Sequence, residues 1–380
     1  MELNGLRYVN KLDIESFIHM LDDPTECYKF YWLDALLKLF SRGDTQITFD
    51  DIINVMIAGA WYSVVEYHLH LGPKSSNGKV MNSLERAVIK LEELSQLPHD
   101  ADENTIIAAI KKYDAGIADE KKQLILNVPY RILSSFMHEI GGNDKLWDQR
   151  KRLIAYIEGL NRLKCLPYHI VDGVTLNKKV VINEEWWQFL SDNYVTISGW
   201  IDVKKVRYLQ GRNPGVPGII YKLAPENDKQ RKLKYVRELW NAVLDVSEIK
   251  DIYTNKPFER NGFAVDHFIP WSFVANDELW NLIPMDSSLN SSKSNYLPNW
   301  NKYFESFAGN QYLMYQNVIK YDKIHDAFDK CQRDNLVMPW SLEELYTPEC
   351  DRSSFYCVLE KNLKNVYDSA RMQGYEIWKN

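Results

Sequence analysis

Within one short stretch, Phe263 to Pro298, the sequence FAVDHFIPWSFVANDELWNLIPMDSSLNSSKSNYLP changes its pattern three times. Phe263–Phe268 is apolar and aromatic enough for a strand, and Leu279–Ile283 reads as its antiparallel partner. Asp286 then stands where an N-cap belongs, ahead of a polar helix carrying Asn290 and Lys293. Strand, loop, strand and helix in that order leave few ways to fold. They set Asp266 and His267, at the end of the first strand, across from Asn290 on the helix.

That juxtaposition suits hydrolysis of a phosphodiester. Such a reaction needs a base to deprotonate a water, and histidine titrates near the working range. It also needs a cation against the charge that develops on the phosphate and the leaving oxygen. A carboxylate and an amide offer hard oxygen donors, so the expected ion is Mg²⁺ or Mn²⁺, keeping most of its own waters. No second or third histidine stands nearby, which argues against a zinc site.

The same residues resemble, in register, the ββα-metal core of HNH endonucleases, and especially the HNH domain of RNA-guided CRISPR nucleases. The match runs through Asp266-His267, Pro270, Ser272-Phe273, Asn281, Asn290, Lys293-Ser294 and Pro298. By that resemblance His267 is the general base, Asp266 and Asn290 hold the metal, Asn281 ties the loop together through its backbone, and Lys293 lies near the phosphate. The resemblance implies hydrolysis of DNA to a 5′-phosphate and a 3′-hydroxyl. One site cuts one strand, so the expected product is a nick, with double-strand cleavage requiring a dimer or two events. Upstream, Tyr253-Thr254 and Lys256-Pro257 resemble the hairpin that precedes the motif in many members. Ile252 stands where a cysteine is usual there, which removes a structural zinc and leaves the catalytic set untouched. A ribonuclease with the same core, or a nucleic-acid-binding module that no longer cuts, are the alternatives; the intact Asp266, His267 and Asn290 set speaks against the second.

Around this core the chain reads as α+β and mainly helical, with four regions expected. Residues 1–165 form a helical amino-terminal region, 166–245 a mixed region, 246–305 the nuclease core and 306–380 a helical carboxyl-terminal region. The first region holds a helix entered at Pro24 and stopped at Gly43, an apolar helix capped by Thr48 and Asp51, and a loop at 73–78. Further helices are expected at Ser83–Leu97, Gln123–Glu139 and Asp144–Lys164. Short strands follow between Tyr168 and Ile182, then a short helix capped by Asn183, a Gly- and Pro-rich loop at 210–218 and a basic helix over Lys229–Leu244.

Charge matters because the net value of -6 is the wrong sign for a surface that binds nucleic acid everywhere. The segment 204–237, however, holds ten basic residues against Glu226 and Asp228, so it carries +8 and the remainder -14. Lys229, Arg231, Lys232 and Lys234 are its expected contacts to the phosphate backbone. The five cysteines are scattered with no CxxC pair, and no signal-like or bilayer-spanning stretch occurs. A reduced, cytoplasmic protein is expected. An acidic helical region joined to a nuclease also suggests control by a protein partner, as in bacterial restriction or phage defence.

Overall fold

The computed structural model describes residue 8 and residues 11–379, except 23, 44–45, 74–78, 138–143, 148, 164, 172 and 224–230. Lys229 and nearly all of the loop expected at 73–78 therefore lie outside the described residues. Two compact units make up the chain: Met1–Pro214 with Lys222–Pro225, and Gly215–Tyr221 with Glu226–Asn380. No helix among the described residues is long and apolar enough to cross a membrane.

The first unit is built around the helix Phe49–Val65. Its start is a reciprocal cap: the Asp51 N–H donates to Thr48 Oγ1 at 3.1 Å, and the Thr48 N–H donates to Asp51 Oδ2 at 3.0 Å. Apolar residues on nearly every side bury it between helices Tyr28–Ser41 and Ser83–Ser95, the latter packing in turn on Asp114–Arg131. Ile47–Thr48 (β1), Tyr168–Val171 (β2) and Lys179–Ile182 (β3) form an antiparallel sheet in the order β1-β3-β2, with Ile170 opposite Val180. Trp186 is fully buried among Phe17, Phe136 and Phe189.

Several boundaries differ from the sequence expectations. The helix after Pro24 begins only at Tyr28, and the helices expected at Gln123–Glu139 and Asp144–Lys164 are found at Asp114–Arg131 and, after a short turn, Arg150–Leu163. Glu103–Lys112 and Tyr194–Arg212 are helices that apolar spacing did not announce. In the second, only Ile197, Ile201, Lys205 and Leu209 are buried, a stripe one residue wide that includes a lysine.

The basic segment is divided between the two units, and much of its charge is spent internally. In the first unit Lys204 pairs with Asp22, and buried Lys205 lies 3.5 Å from Asp34 and 3.3 Å from Asp202. Arg212 donates to the Thr25 carbonyl and Lys222 is buried. In the second unit Arg237 donates to the Phe263 carbonyl. The helix begins at Lys234 rather than Lys229, so Arg231 and Lys232 precede it in non-helical backbone.

The second unit encloses a two-stranded antiparallel sheet, Ala264–His267 (β4) against Leu282–Met285 (β5), with Asp266 opposite Ile283. The partner strand thus lies slightly later than expected, because Leu279–Asn281 turns as a single 3₁₀ step. Helix Ser287–Lys293 packs on β4, and Trp300–Lys320 packs on β5 and on helices Asp322–Asp329 and Arg352–Gln373. Fully buried Gln311, on that long helix, donates to the carbonyls of Leu279 and Leu282 at 3.0 and 2.8 Å. The Tyr346 hydroxyl donates to its Oε1. Phe268 stacks on Phe307 at 4.2 Å, Trp300 on Phe304 at 4.4 Å, and Trp280 packs against Trp340 at 5.3 Å. The chain end returns as well: the Leu297 N–H donates to the Glu376 carbonyl at 2.8 Å and the Trp378 N–H to the Leu297 carbonyl at 2.7 Å, forming the Leu297↔Ile377 bridge.

Since Phe307 is fully buried beneath the loop that leaves β4, Phe307→Ala should cost about 3–5 kcal/mol. The expected result is a lower urea midpoint for the second unit, read by its tryptophan fluorescence. An unchanged midpoint would show that the long helix is not its core.

Candidate active site

β4 ends at His267, and the chain then makes a loop that must return to β5. Asn281 closes it. The Phe268 N–H donates to the Asn281 carbonyl at 2.8 Å, the Ile269 N–H donates to Asn281 Oδ1 at 2.8 Å, and Asn281 Nδ2 donates to the Ile269 carbonyl at 2.9 Å. Asn281 is fully buried with both side-chain polar atoms engaged, so it positions the loop and meets no substrate. Within the loop Trp271–Val274 make one helical turn, ended by Ala275 in the left-handed region at φ 54°. That reversal brings Asn276 and Asp277 back to His267.

His267 is buried, and its Nε2 faces the Asn276 carbonyl at 3.1 Å and Asp277 Oδ1 at 3.0 Å. A carbonyl oxygen can only accept, so Nε2 carries the proton and donates to both. A neutral ring then keeps its lone pair on Nδ1, to which nothing bonds among the described residues. The arrangement can therefore accept a proton at one defined atom.

Asp277 is the residue that sequence reading passed over. Its Oδ2 accepts the Lys232 N–H at 2.6 Å, while Asn335 Nδ2 donates to the Asp277 carbonyl at 2.7 Å and to the Lys232 carbonyl at 2.9 Å. Burial works to raise its pKa, but the His267 and Lys232 donors and the Arg231 charge hold it below the usual carboxylate value. Next to it, buried Glu278 accepts from Val337, Met338 and Trp280, fastening the loop to the carboxyl-terminal segment; burial still pushes its pKa up. The only sequence signal for Asp277 was an acidic pair placed just ahead of Asn281 between buried apolar residues.

Asp266 and Lys293 form a buried pair. Lys293 Nζ donates to Asp266 Oδ2 at 2.8 Å and to the His267 carbonyl at 2.7 Å, and its side chain is wholly buried. Lys293, expected near the phosphate, thus has its ammonium engaged inside the fold by a carboxylate and a carbonyl. Asp266 Oδ1 has no bond among the described residues. Asn290 lies on the helix capped by Asp286, whose Oδ1 accepts from Ser288 and Leu289 at 2.9 and 3.2 Å. It is half-buried, and its amide has no bond among the described residues. Asp251, buried and unnoticed in sequence, anchors this helix to the preceding hairpin by accepting the Asp286 N–H at 3.0 Å and the Tyr253 N–H at 2.7 Å.

The donors suit a hard divalent cation, since one oxygen of Asp266 and the amide of Asn290 are uncommitted. No group of three or more His, Cys, Asp or Glu able to hold a metal occurs among the described residues. A cation held by these two would have to draw its other ligands from water or a phosphate.

Residues 251–299 match the family model described as HNH endonuclease, from the Asp251 anchor to Asn299. No curated protein and no solved structure matches the chain.

Two outcomes follow. Lys293→Met leaves the Asp266 carboxylate unpaired in the interior and should cost about 3–5 kcal/mol of stability; loss of nucleic-acid affinity at unchanged stability would contradict the buried-pair role. For Asp277 the folded pKa lies below its unfolded value of 3.8, so its contribution is full above 3.8 and is lost as pH falls through the folded value. The thermal midpoint of Asp277→Asn should accordingly fall less steeply than wild type on acidification, and parallel curves would remove Asp277 from the acid response.

Proposed function

We propose that this chain, which carries an HNH endonuclease domain over residues 251–299, is a divalent-metal-dependent nuclease that hydrolyses DNA phosphodiester bonds. The observation that carries the reading is the fixed tautomer of His267, with Nε2 committed to Asn276 and Asp277 and the Nδ1 lone pair left for a proton.

In the reaction, Nδ1 of His267 takes a proton from a water as its oxygen forms a bond to phosphorus. The bond from phosphorus to the 3′ oxygen breaks and the departing oxygen takes a proton from solvent water, to which the imidazolium afterwards returns its own, leaving a 5′-phosphate and a 3′-hydroxyl. Asp277, anionic beside Nε2, stabilises the imidazolium that results. Asn281 keeps the loop backbone in place and Lys293 fixes Asp266 against the end of β4. Asp266 and Asn290 would hold a Mg²⁺ or Mn²⁺ ion, which supplies charge against the phosphate and the departing oxygen. One such site breaks one strand.

A supercoiled plasmid and a structured RNA, each with Mg²⁺, Mn²⁺ or EDTA, test the proposal. The plasmid should be nicked in either metal and left intact in EDTA, and His267→Ala should lower the rate by about 10²–10⁴-fold. Wild-type cleavage in EDTA, or full activity in His267→Ala, would overturn the mechanism; cleavage of RNA alone would overturn the substrate. Asn290→Ala should regain activity as the metal concentration rises. It is a cleaner probe than Asp266→Ala, which also unpairs buried Lys293.

A further inference from the structure

A cleft of about 550 Å³ in the second unit has Arg231, Lys232 and Lys234 on one wall and Lys330 and Arg333 on the other. Among the described residues Asp329 and Asp334 are the only acids lining it, so these side chains carry an excess of three positive charges. Arg231, Lys234, Lys330 and Arg333 make no ion pair among the described residues, and Lys232 has only a 3.9 Å approach to Asp334. All five cations are exposed. Fixed like charges left unpaired on facing walls repel one another, and an anion between them relieves that cost.

The cleft is bonded to the candidate active site. The Lys232 N–H donates to Asp277 Oδ2 and Asp277 Oδ1 accepts from His267, while Asn335 holds the carbonyls of both Lys232 and Asp277. Arg231 lies over the ring of Trp271, 5.6 Å from its centroid, in the turn that follows β4. The backbone that forms one wall therefore also sets the histidine.

We propose that this cleft grips the sugar-phosphate backbone of the strand being cut, with Lys330 and Arg333 supplying half of the grip. The assignment rests on the nuclease reading above. A polyanion with regularly spaced charges suits two facing rows of cations. Among the described residues Tyr235 is the one ring lining the cleft and no aliphatic side chain joins it, which leaves little for the apolar anchors of an acidic protein segment. The basic contacts expected from sequence thus form only one side of the site; the other comes from helices about a hundred residues later.

The experiment is a salt titration of duplex binding by the full chain in Ca²⁺, which suppresses cleavage, using two unrelated sequences. Each contact to phosphate contributes about 0.9 to the slope of log affinity against log salt. Lys330→Ala with Arg333→Ala, and separately Arg231→Ala with Lys234→Ala, should each flatten the slope by about 1.8 on both sequences. Lys330→Arg with Arg333→Lys should restore it. In Mg²⁺ the Lys330→Ala with Arg333→Ala pair, which touches nothing bonded to His267, should raise KM and leave kcat near wild type. An unchanged slope overturns the cleft, as does binding of polyglutamate that depends on these residues while DNA binding does not. A wild-type chain that binds with the full slope yet never cleaves would overturn the nuclease reading and leave the cleft standing.

Discussion

Two strands of four residues and a helix of seven cannot bury enough apolar surface to hold a fixed geometry. Everything else in the second unit answers that shortage. Gln311 donates into the turn before β5 and to β5 itself, Phe307 and Trp300 lie against Phe268, and the chain end bridges to Leu297. The family match stops at Asn299, just where the long helix that backs the sheet begins. The carboxyl-terminal helices are therefore the core on which the small unit is built, and residues 246–305 and 306–380 fall in one compact unit rather than two.

Polar groups around the site obey the same economy of position. Lys293 is held by a carboxylate and a carbonyl, Asp277 by an amide and an imidazole, and Asn281 by both backbone atoms of Ile269. Buried groups so fully paired cost little and resist movement. On the proposed reading, this arrangement separates roles cleanly: the engaged groups position, and the uncommitted ones, His267 Nδ1, Asp266 Oδ1 and the Asn290 amide, react or bind. Because Lys293 already balances the Asp266 charge, the substrate phosphate would be the main anionic ligand for a cation there. Metal and nucleic acid would then strengthen each other's binding.

Local rules made some of this legible in sequence. The Thr48–Asp51 cap, the Asp286 cap and the two strands with the helix after them follow from side chains bonding within three residues or alternating along a strand. The residues of the candidate site stand in one short stretch, so spacing alone could bring them together. What stayed hidden depends on partners far along the chain. Asp277 gains its place from Lys232 and Asn335, and Lys293 loses its exposure to a strand that precedes it by a loop and a second strand. The basic segment misled because a count of charges cannot tell Lys205, buried between two aspartates, from Lys234, exposed and unpaired.

The net charge of -6 does not weigh against a nucleic-acid substrate. At physiological salt the Debye length is about 8 Å, so acids beyond roughly that distance are largely screened at the phosphate. Cations that face each other across a cleft lie within that range of a bound strand, and their effect persists. The acidic remainder instead disfavours loose, unspecific adsorption elsewhere on the surface. On the proposed reading, a basic cleft joined by hydrogen bonds to His267 would hold the polyanion beside the base that cuts it.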